Sequence, residues 1–447
     1  MSEPDVQSDP SAGGDVVAED RSRAGWRAYL RALGPGLITG ASDDDPSGVA
    51  TYAQAGAQFK YSMLWTALVT FPLMTGVQEI CDRTALATGK GLGGLARMRF
   101  GRFGRVAIGI LLVFLLLANG LNIAADLVAI GAGAHLIHAG PQTFWAVVAG
   151  IAITLLVLTG SFDTIARLFK VLCSGLLAYV GVLVFARVNW SQVALHTIVP
   201  HFSFSKGYIA LLVAVLGTTI SPYLFFWQSA HRIEELRDEP EGGDKATALD
   251  TRSPGKALDK QRTSRFDVAF GMGFSNLVMF SIIAATASTL GQHGKTTIDS
   301  AAQAAEALRP VAGSISSTLF AVGIIGAGFL AVPVLAASAA TAIAGLLGRD
   351  WGFSRSPRQA PLFYVLVAAG TLGGAVLSLS GANPITLLVA VAVINGLAAA
   401  PFLLIVMLIA GDDHLMGEHV NGRLASALGW LTFAIMAAAA IALIATL

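Results

Sequence analysis

Three consecutive aspartates lie inside an apolar stretch near the start of the chain, and no other feature restricts its fold as strongly. The stretch runs from about residue 33 to residue 57, and Asp43, Asp44 and Asp45 are followed directly by Pro46. Each Asp at the centre of a lipid-spanning helix costs about 2.5–3.5 kcal/mol on insertion scales, and Pro breaks helices. Carboxylates and broken backbone are tolerated at membrane depth only where they face protein or a water-filled cavity. The segment therefore predicts a break in a membrane helix that faces a cation.

The composition is that of a membrane protein. Hydrophobic residues make up 54% of the 447 residues, charged residues 13%, and the mean hydropathy is +0.67. We predict a disordered cytosolic arm over residues 1–32, which are largely polar, and a polytopic membrane domain over residues 33–447. The net charge of +1 gives no reason to expect nucleic acid as a partner. Eleven apolar segments are long enough to span a bilayer, at about residues 33–57, 62–86, 106–137, 143–160, 166–186, 207–230, 266–290, 313–347, 361–379, 384–410 and 424–446.

The basic residues predict an orientation in the cell membrane. With the amino terminus in the cytosol, eleven spans place 24 of the 29 Lys and Arg residues on the cytosolic side. This asymmetry follows the positive-inside rule and puts the carboxyl terminus outside the cytosol. The hydrophilic segment at residues 232–265 supplies eight of these basic residues, and we expect it to be a solvated cytosolic loop.

The sixth apolar segment contains a second interruption. Gly217, Thr218, Thr219, Ser221 and Pro222 lie within seven residues of one another in an otherwise apolar span. Spans one and six occupy corresponding places if the first ten spans form two halves of five. Paired Gly- or Pro-interrupted spans in corresponding positions indicate a binding site near the midplane of an inverted-repeat transporter. We therefore predict one repeat over about 33–186, a second over about 207–410, and an extra helix at about 424–446.

Residues at both interruptions carry a family resemblance. The run from Gly34 to Trp65, GPGLITGASDDDPSGVATYAQAGAQFKYSMLW, closely resembles the first span of the NRAMP divalent-metal transporters. The family's Asp-Pro-Gly-Asn falls on residues 45–48, and its sixth-span Met-Pro-His falls on residues 221–223. Asp126 matches an Asp that is common in the family's third span. The resemblance implies an all-α, LeuT-type fold of inverted five-helix repeats with helices 1 and 6 broken, and a transporter with no enzymatic activity and no cofactor.

The departures from the family pattern bear on which ion is carried. Gly48 stands where the family has a metal-binding Asn, and Ser221 stands where it has a Met sulfur. Oxygen ligands suit Mg²⁺, Ca²⁺ and Mn²⁺, whereas thioethers select softer ions, and Mg²⁺ usually keeps several waters. The pattern resembles the NRAMP-related magnesium transporter branch. We take as candidate metal-site residues Asp45, Gly48, Ser221, Tyr223, Asp44 and Thr218.

Groups that carry protons in the family are also replaced. Tyr223 stands in place of the sixth-span His, Ala129 in place of an acidic residue, and the ninth span has no charge. Asp126 remains as a candidate on a polar or proton path. We therefore expect hydrated Mg²⁺, and also Mn²⁺, to enter the cytosol by alternating access without a coupled proton. The alternative is a proton-coupled Mn²⁺/Fe²⁺ symporter of the ordinary NRAMP type.

Each candidate residue also has a structural interpretation. Asp45 can cap the second half of the broken helix, Asp44 can cap backbone amides, and Asp126 can neutralise a neighbouring polar helix. Polar residues elsewhere in the spans predict interhelical hydrogen bonds, namely Asn119, Asn122, Asn276, Asn395 and Gln228. Glu79, Asp82 and Arg83 are expected to pair locally at a helix end.

Three other classes of membrane protein fit less well. An intramembrane aspartyl protease would leave the paired helix breaks unexplained. An acidic-ring channel lacks an acid opposite Asp45 in the second half of the chain. A transporter of organic substrates does not require three aspartates at one break. The expected partners are a divalent metal ion and the lipid bilayer, while the oligomeric state stays open and a monomer is compatible with the sequence.

Overall fold

The helices follow the apolar segments of the sequence. A computed structural model describes residues 34–159, 188–240, 242–243, 245–291, 297–298, 300–306, 316–381 and 383–446, with five isolated residues between them. Within these ranges the secondary structure is helical and includes no strand. The α-helices are α1 (Pro35–Asp43), α2 (Pro46–Phe59), α3 (Trp65–Thr88), α4 (Leu92–Arg99), α5 (Arg102–Leu136), α6 (Gln142–Thr159), α7 (Trp190–Ile198), α8 (Lys206–Thr219), α9 (Pro222–Asp238), α10 (Pro254–Thr289), α11 (Ala301–Glu306), α12 (Ser316–Leu347), α13 (Pro361–Leu377), α14 (Pro384–Ala410), α15 (Asp413–Met416) and α16 (Arg423–Thr446).

Eight membrane-spanning candidates occur in the described ranges. They are α5, α6, the α8–α9 pair, α10, α12, α13 with the turn that follows it, α14 and α16, each long and apolar enough to cross a bilayer. The α1–α2 pair and α3 match the first two predicted spans but are not among the eight. The predicted span at 166–186 falls almost entirely outside the described residues. The number of eleven spans therefore stays a prediction.

Both predicted interruptions are breaks between helices. Asp44 and Asp45 separate α1 from α2, and Ile220 and Ser221 separate α8 from α9. In each case a proline occupies the first turn of the second helix, where its missing N–H leaves no hydrogen bond unmade. Each break therefore leaves free backbone groups in the interior of the bundle.

Close packing against α10 holds α1 in place. Gly40 of α1 and Gly271 of α10 approach so closely that a Cβ atom on either would collide with the backbone of the other helix. Glycine is needed at both positions because only a missing side chain permits this distance. Helix α1 thus lies against α10 along its buried length.

The segment at residues 232–265 differs from the expected loop. Helix α9 extends to Asp238 and α10 begins at Pro254, so that only residues 239–253 connect them. Arg232 is buried rather than solvated. The prediction of a loop from 232 to 265 was wrong at both ends, because Arg232 is held inside α9 by buried acidic partners and α10 already includes residues 254–265.

Candidate functional site

Asp45 begins α2 and is held by hydrogen bonds at the first break. Its Oδ1 accepts a hydrogen bond from the backbone N–H of Gly48 at 2.7 Å and another from the hydroxyl of Ser47 at 2.6 Å. The residue is extended, with φ −64° and ψ 169°, as expected of a helix N-cap. Asp45 therefore caps α2, as its structural interpretation predicts. Its second oxygen, Oδ2, is not part of the cap and faces another partner.

Tyr223 links the two breaks. It lies in the first turn of α9, and its hydroxyl lies 3.0 Å from the carbonyl oxygen of Ser42 and 3.4 Å from Oδ2 of Asp45. The side chain is 1% exposed, so this contact is shielded from water. Tyr223 thus connects the two breaks through its hydroxyl in addition to packing in the core.

Ser221 and Thr218 line the second break. The Ser221 hydroxyl lies 2.5 Å from the carbonyl oxygen of Gly217 and 3.0 Å from that of Thr218. The Thr218 hydroxyl lies 3.0 Å from the hydroxyl of Tyr52 on α2. Both hydroxyls keep lone pairs that can accept a hydrogen bond or bind a cation. The second break consequently offers oxygen donors.

Asp43 and Asp44 share a partner on α10. The hydroxyl of Ser275 lies 2.6 Å from Oδ2 of Asp43 and 3.4 Å from Oδ1 of Asp44. The other carboxylate oxygen of each residue, Oδ1 of Asp43 and Oδ2 of Asp44, has no hydrogen-bond partner among the described residues. Both side chains are fully buried. Two buried acceptors at the first break are therefore free to receive water or a cation.

Asp126 lies on α5, where it is fully buried. Neither of its carboxylate oxygens has a hydrogen-bond partner in the part of the chain that the structure describes. Its backbone faces Gly328 of α12, and its carboxylate lies within electrostatic range of Asp45. Among the described residues, Asp126 is thus buried without a partner that would neutralise it.

Four buried carboxyl groups give the site its electrostatic character. Within the described residues, no Lys, Arg or His forms an ion pair with Asp43, Asp44, Asp45 or Asp126. Burying an unpaired carboxylate costs several kcal/mol. The carboxylates also do not converge on one point, since no group of three His, Cys, Asp or Glu side chains in these residues is arranged to hold a metal ion. A cation at this site would therefore need hydroxyl, carbonyl or water oxygens in addition to carboxylates.

Two residues of the site were missed by the sequence analysis. Tyr52 lies one helical turn after Gly48, and that spacing along α2 would have predicted a shared face. Ser275 is one of several serines in α10, and no sequence signal distinguishes it from Ser281 or Ser288.

A buried charge network lies where α1 begins. Arg232 of α9 donates hydrogen bonds to Asp82 of α3 at 2.7 Å and to Asp267 of α10 at 3.2 Å. Asp267 also accepts hydrogen bonds from the backbone N–H groups of Gly34 and Gly36, at 2.9 and 2.8 Å. The network therefore joins α3, α9 and α10 to the amino terminus of α1.

The expected local pairing of α3 charges is correct only in part. Arg83 does pair with Glu79 one turn away, at 3.2 Å. Asp82 instead bonds to Gln228 and Arg232 of α9 and to Ser264 of α10. The sequence did not predict these partners of Asp82, because they lie on helices that are distant in the chain.

Comparison with known proteins identifies the relatives of this chain. Residues 36–446 match the family model Nramp, described as natural resistance-associated macrophage protein-like. A divalent metal cation transporter, MntH, from Klebsiella pneumoniae (strain 342) is 27% identical over 431 residues, which cover 94% of this chain and 95% of the relative.

Solved structures support the fold assignment. A manganese transporter of Eremococcus coleocola, in complex with an aromatic bis-isothiourea substituted compound, superposes with a TM-score of 0.72 at 17% identity. The alignment covers 93% of this chain and 86% of that one. A closed conformation of the nucleobase-cation-symport-1 family transporter Mhp1 superposes with a TM-score of 0.55 at 14% identity, covering 93% of each chain.

Proposed function

The chain belongs to the Nramp family, whose members are transporters of divalent metal cations and not enzymes, and we propose that it carries hydrated Mg²⁺ by alternating access. It also carries Mn²⁺ by the same route. The direction is into the cytosol, and no proton is coupled to the movement. Asp45, Asp44, Ser221, Tyr223, Thr218 and the backbone at Gly48 surround the ion.

The observation that carries this proposal is the set of donor atoms at the two breaks. The Tyr223 hydroxyl lies between the carbonyl oxygen of Ser42 and the carboxylate of Asp45, and the Ser221 hydroxyl lies at the second break. Positions 48 and 221 offer neither the amide nor the sulfur that the family resemblance would provide. Mg²⁺ and Mn²⁺ prefer oxygen, whereas softer ions gain from sulfur.

The unpartnered carboxylate oxygens favour an ion that keeps its water. Oδ1 of Asp43 and Oδ2 of Asp44 can each accept a hydrogen bond from a water molecule bound to the ion. Mg²⁺ dehydrates reluctantly and is usually held through one or two carboxylates with several waters retained. A site with dispersed carboxylates suits such an ion better than an ion that needs a complete protein cage.

Transport without a proton follows from the residues around Asp126. Tyr223 and Ala129 cannot relay a proton near neutral pH, and α13 contains no charged residue. The membrane potential is a sufficient driving force, because a divalent ion that crosses about 100 mV gains about 4.6 kcal/mol.

A proton-coupled Mn²⁺/Fe²⁺ symporter of the ordinary Nramp type is the second candidate function. It is favoured by the unpartnered carboxylate of Asp126, which has no neutralising partner among the described residues. The relative in Eremococcus coleocola is called a manganese transporter. The two functions share the ion site and differ in selectivity and coupling.

Uptake into proteoliposomes that contain a pH-sensitive dye separates the two. We expect Mg²⁺ to enter, Mn²⁺ to compete with it, and the lumen to keep its pH as the ion enters. Stoichiometric acidification of the lumen would establish proton coupling. If the protein did not transport Mg²⁺ but did transport Fe²⁺ or Cd²⁺, only the second candidate function would remain.

A further inference from the structure

A large cavity lies apart from the ion site, between α3, α10 and α16. It has a volume of about 940 Å³ and is open at one side. Phe71, Pro72, Leu424 and Leu428 form an apolar wall, and Phe71 and Leu424 are 39% and 74% exposed. Helix α16 is a candidate membrane span and α3 matches a predicted span, so a bilayer around these helices would place acyl chains against the exposed surfaces of this wall.

The polar end of the cavity carries arginines. Arg83, Arg265 and Arg423 line it together with Glu79 and Glu418, so the lining has a formal net charge of +1. Arg83 is fully engaged, because it bonds to Glu79, to the carbonyl oxygens of His419 and Val420, and to Asn421. Arg83 thereby holds residues 419–421, the segment that precedes α16 and lines the bottom of the cavity.

The other two arginines keep free donor groups. Arg265 bonds to Glu79 through Nε at 3.1 Å, and its side chain is 55% exposed. Among the described residues, Arg423 has no hydrogen bond or ion pair, and neither do the terminal nitrogens of Arg265. Glu79 is already paired with Arg83 and Arg265, so Glu418 is the one unpaired acid of the lining. The lining therefore offers an anion the free terminal guanidinium nitrogens of two arginines, while Glu418 is the one unpaired carboxylate that would repel it.

We propose that this cavity binds an anionic phospholipid from the leaflet on the side of the membrane where α16 begins. The phosphate diester lies between Arg265 and Arg423, and an acyl chain follows the wall of Phe71, Leu424 and Leu428. Charge complementarity selects the headgroup, since a basic residue near the membrane surface attracts an anionic lipid by about 1 kcal/mol. An apolar wall open to the bilayer selects a lipid over a soluble anion or an acidic peptide.

Native mass spectrometry of the full chain with phosphatidylglycerol and phosphatidylcholine tests this site. We expect wild-type protein to retain phosphatidylglycerol in preference to phosphatidylcholine. The double variant Arg265→Gln with Arg423→Gln should lose roughly 30-fold in affinity for phosphatidylglycerol, which corresponds to about 2 kcal/mol. Ala269→Trp, which fills the cavity without changing its charge, should weaken retention as well.

A matched control removes two exposed arginines from the first turns of α5. Arg102→Gln with Arg105→Gln changes the net charge equally but does not touch the cavity, so it should retain the lipid as wild type does. Equal loss in this control would show a general surface effect and overturn the proposal. Undiminished retention in Ala269→Trp, no preference in wild type, or competition by glycerol phosphate as effective as by the lipid would also overturn it.

Discussion

At the scale of single residues, Asp45 combines two roles that one substitution can separate. Oδ1 caps α2 through the N–H of Gly48, while Oδ2 lies at the contact with Tyr223. An asparagine at this position keeps an oxygen that can cap the helix but removes the charge. An alanine removes both, and the loss of a cap costs about 1 kcal/mol of stability.

We therefore predict that Asp45→Asn and Asp45→Ala both abolish cation uptake, although only the alanine variant loses thermal stability. Removing one partner of a buried charge pair, here the carboxylate that faces the cation, costs about 2–5 kcal/mol, which lowers uptake by roughly 30-fold or more. Uptake by proteoliposomes at matched protein amounts measures this effect. Asp259→Ala on the exposed surface of α10 is the control. Normal uptake by Asp45→Asn would show that the residue serves only as a cap.

In the proposed function, positions 48 and 221 determine which ion fits. A Cβ atom on Gly48 would lie 3.1 Å from the carbonyl oxygen of Asp43 and 3.3 Å from the Tyr52 ring. Any side chain at position 48 is therefore directed into the space beside Asp45. In the proposed function, Gly48 leaves that space to the ion and its water.

We predict that Gly48→Asn with Ser221→Met weakens Mg²⁺ transport by about tenfold and tightens Cd²⁺ binding by a similar factor, or about 1.4 kcal/mol. The added groups take the place of water and supply an amide and a sulfur, which soft ions prefer. Competition of Cd²⁺ with Mg²⁺ uptake measures both changes. Gly48→Ala, which fills space without adding a ligand, should weaken Mg²⁺ transport but leave Cd²⁺ binding unchanged. Improved Mg²⁺ transport in the double variant would contradict a hydrated ion at this site.

At the scale of helices, the sequence predicted the breaks but not what holds them. Pro46 and Pro222 located both breaks, because proline is tolerated at the start of a helix and not in its interior. The interhelical hydrogen bonds of the polar residues were also confirmed, as in the reciprocal pair of Asn122 and Asn395 at 3.1 Å. The hydrogen bond between Gly36 and Asp267 joins residues that are 231 positions apart in the chain. The hydrophobic periodicity of the sequence does not predict contacts at such a separation.

The amino terminus of α1 is fixed by the charge of Asp267. Its carboxylate accepts hydrogen bonds from Gly34, Gly36 and Leu37 and is held in turn by Arg232. A carboxylate at a helix amino terminus is stabilised by the free N–H groups and by the helix dipole. The state in which α1 packs against α10 is thus stabilised by one side chain.

We predict that Asp267→Asn releases α1 and raises the reactivity of a cysteine at position 37 by roughly tenfold, because each hydrogen bond to a charged group contributes about 1.5–3 kcal/mol. The rate of maleimide labelling in a background without Cys81 and Cys173 measures this change. Asp250→Asn is the control, since Asp250 is a surface residue that bonds to His419. Equal labelling rates in Asp267→Asn and wild type would show that glycine packing alone holds α1.

At the scale of the whole molecule, the sequence predicted a transporter and the structure adds how its buried charges are arranged. The apolar segments, their order and the family resemblance all follow from local patterns. The partners of Asp43 and Asp82 do not, because they depend on how helices distant in sequence pack. The number of spans also stays a prediction, since residues 160–176 lie outside the described ranges.

The topology of the chain is the last prediction, and it tests the number of spans directly. The five crossings predicted before α8 would place Phe204, which is 85% exposed, outside the cytosol. They would place Thr251, in the connection from α9 to α10, on the cytosolic side. The distribution of Lys and Arg supports this orientation. We expect an impermeant maleimide to label Phe204→Cys in intact cells, and Thr251→Cys only after the membrane is permeabilised. A cysteine appended after Leu447 should label from outside, because an odd number of spans separates the two termini. Labelling of Thr251→Cys in intact cells would overturn the orientation. If Phe204→Cys labelled only after permeabilisation, residues 160–187 would not cross the membrane and the two repeats would no longer correspond.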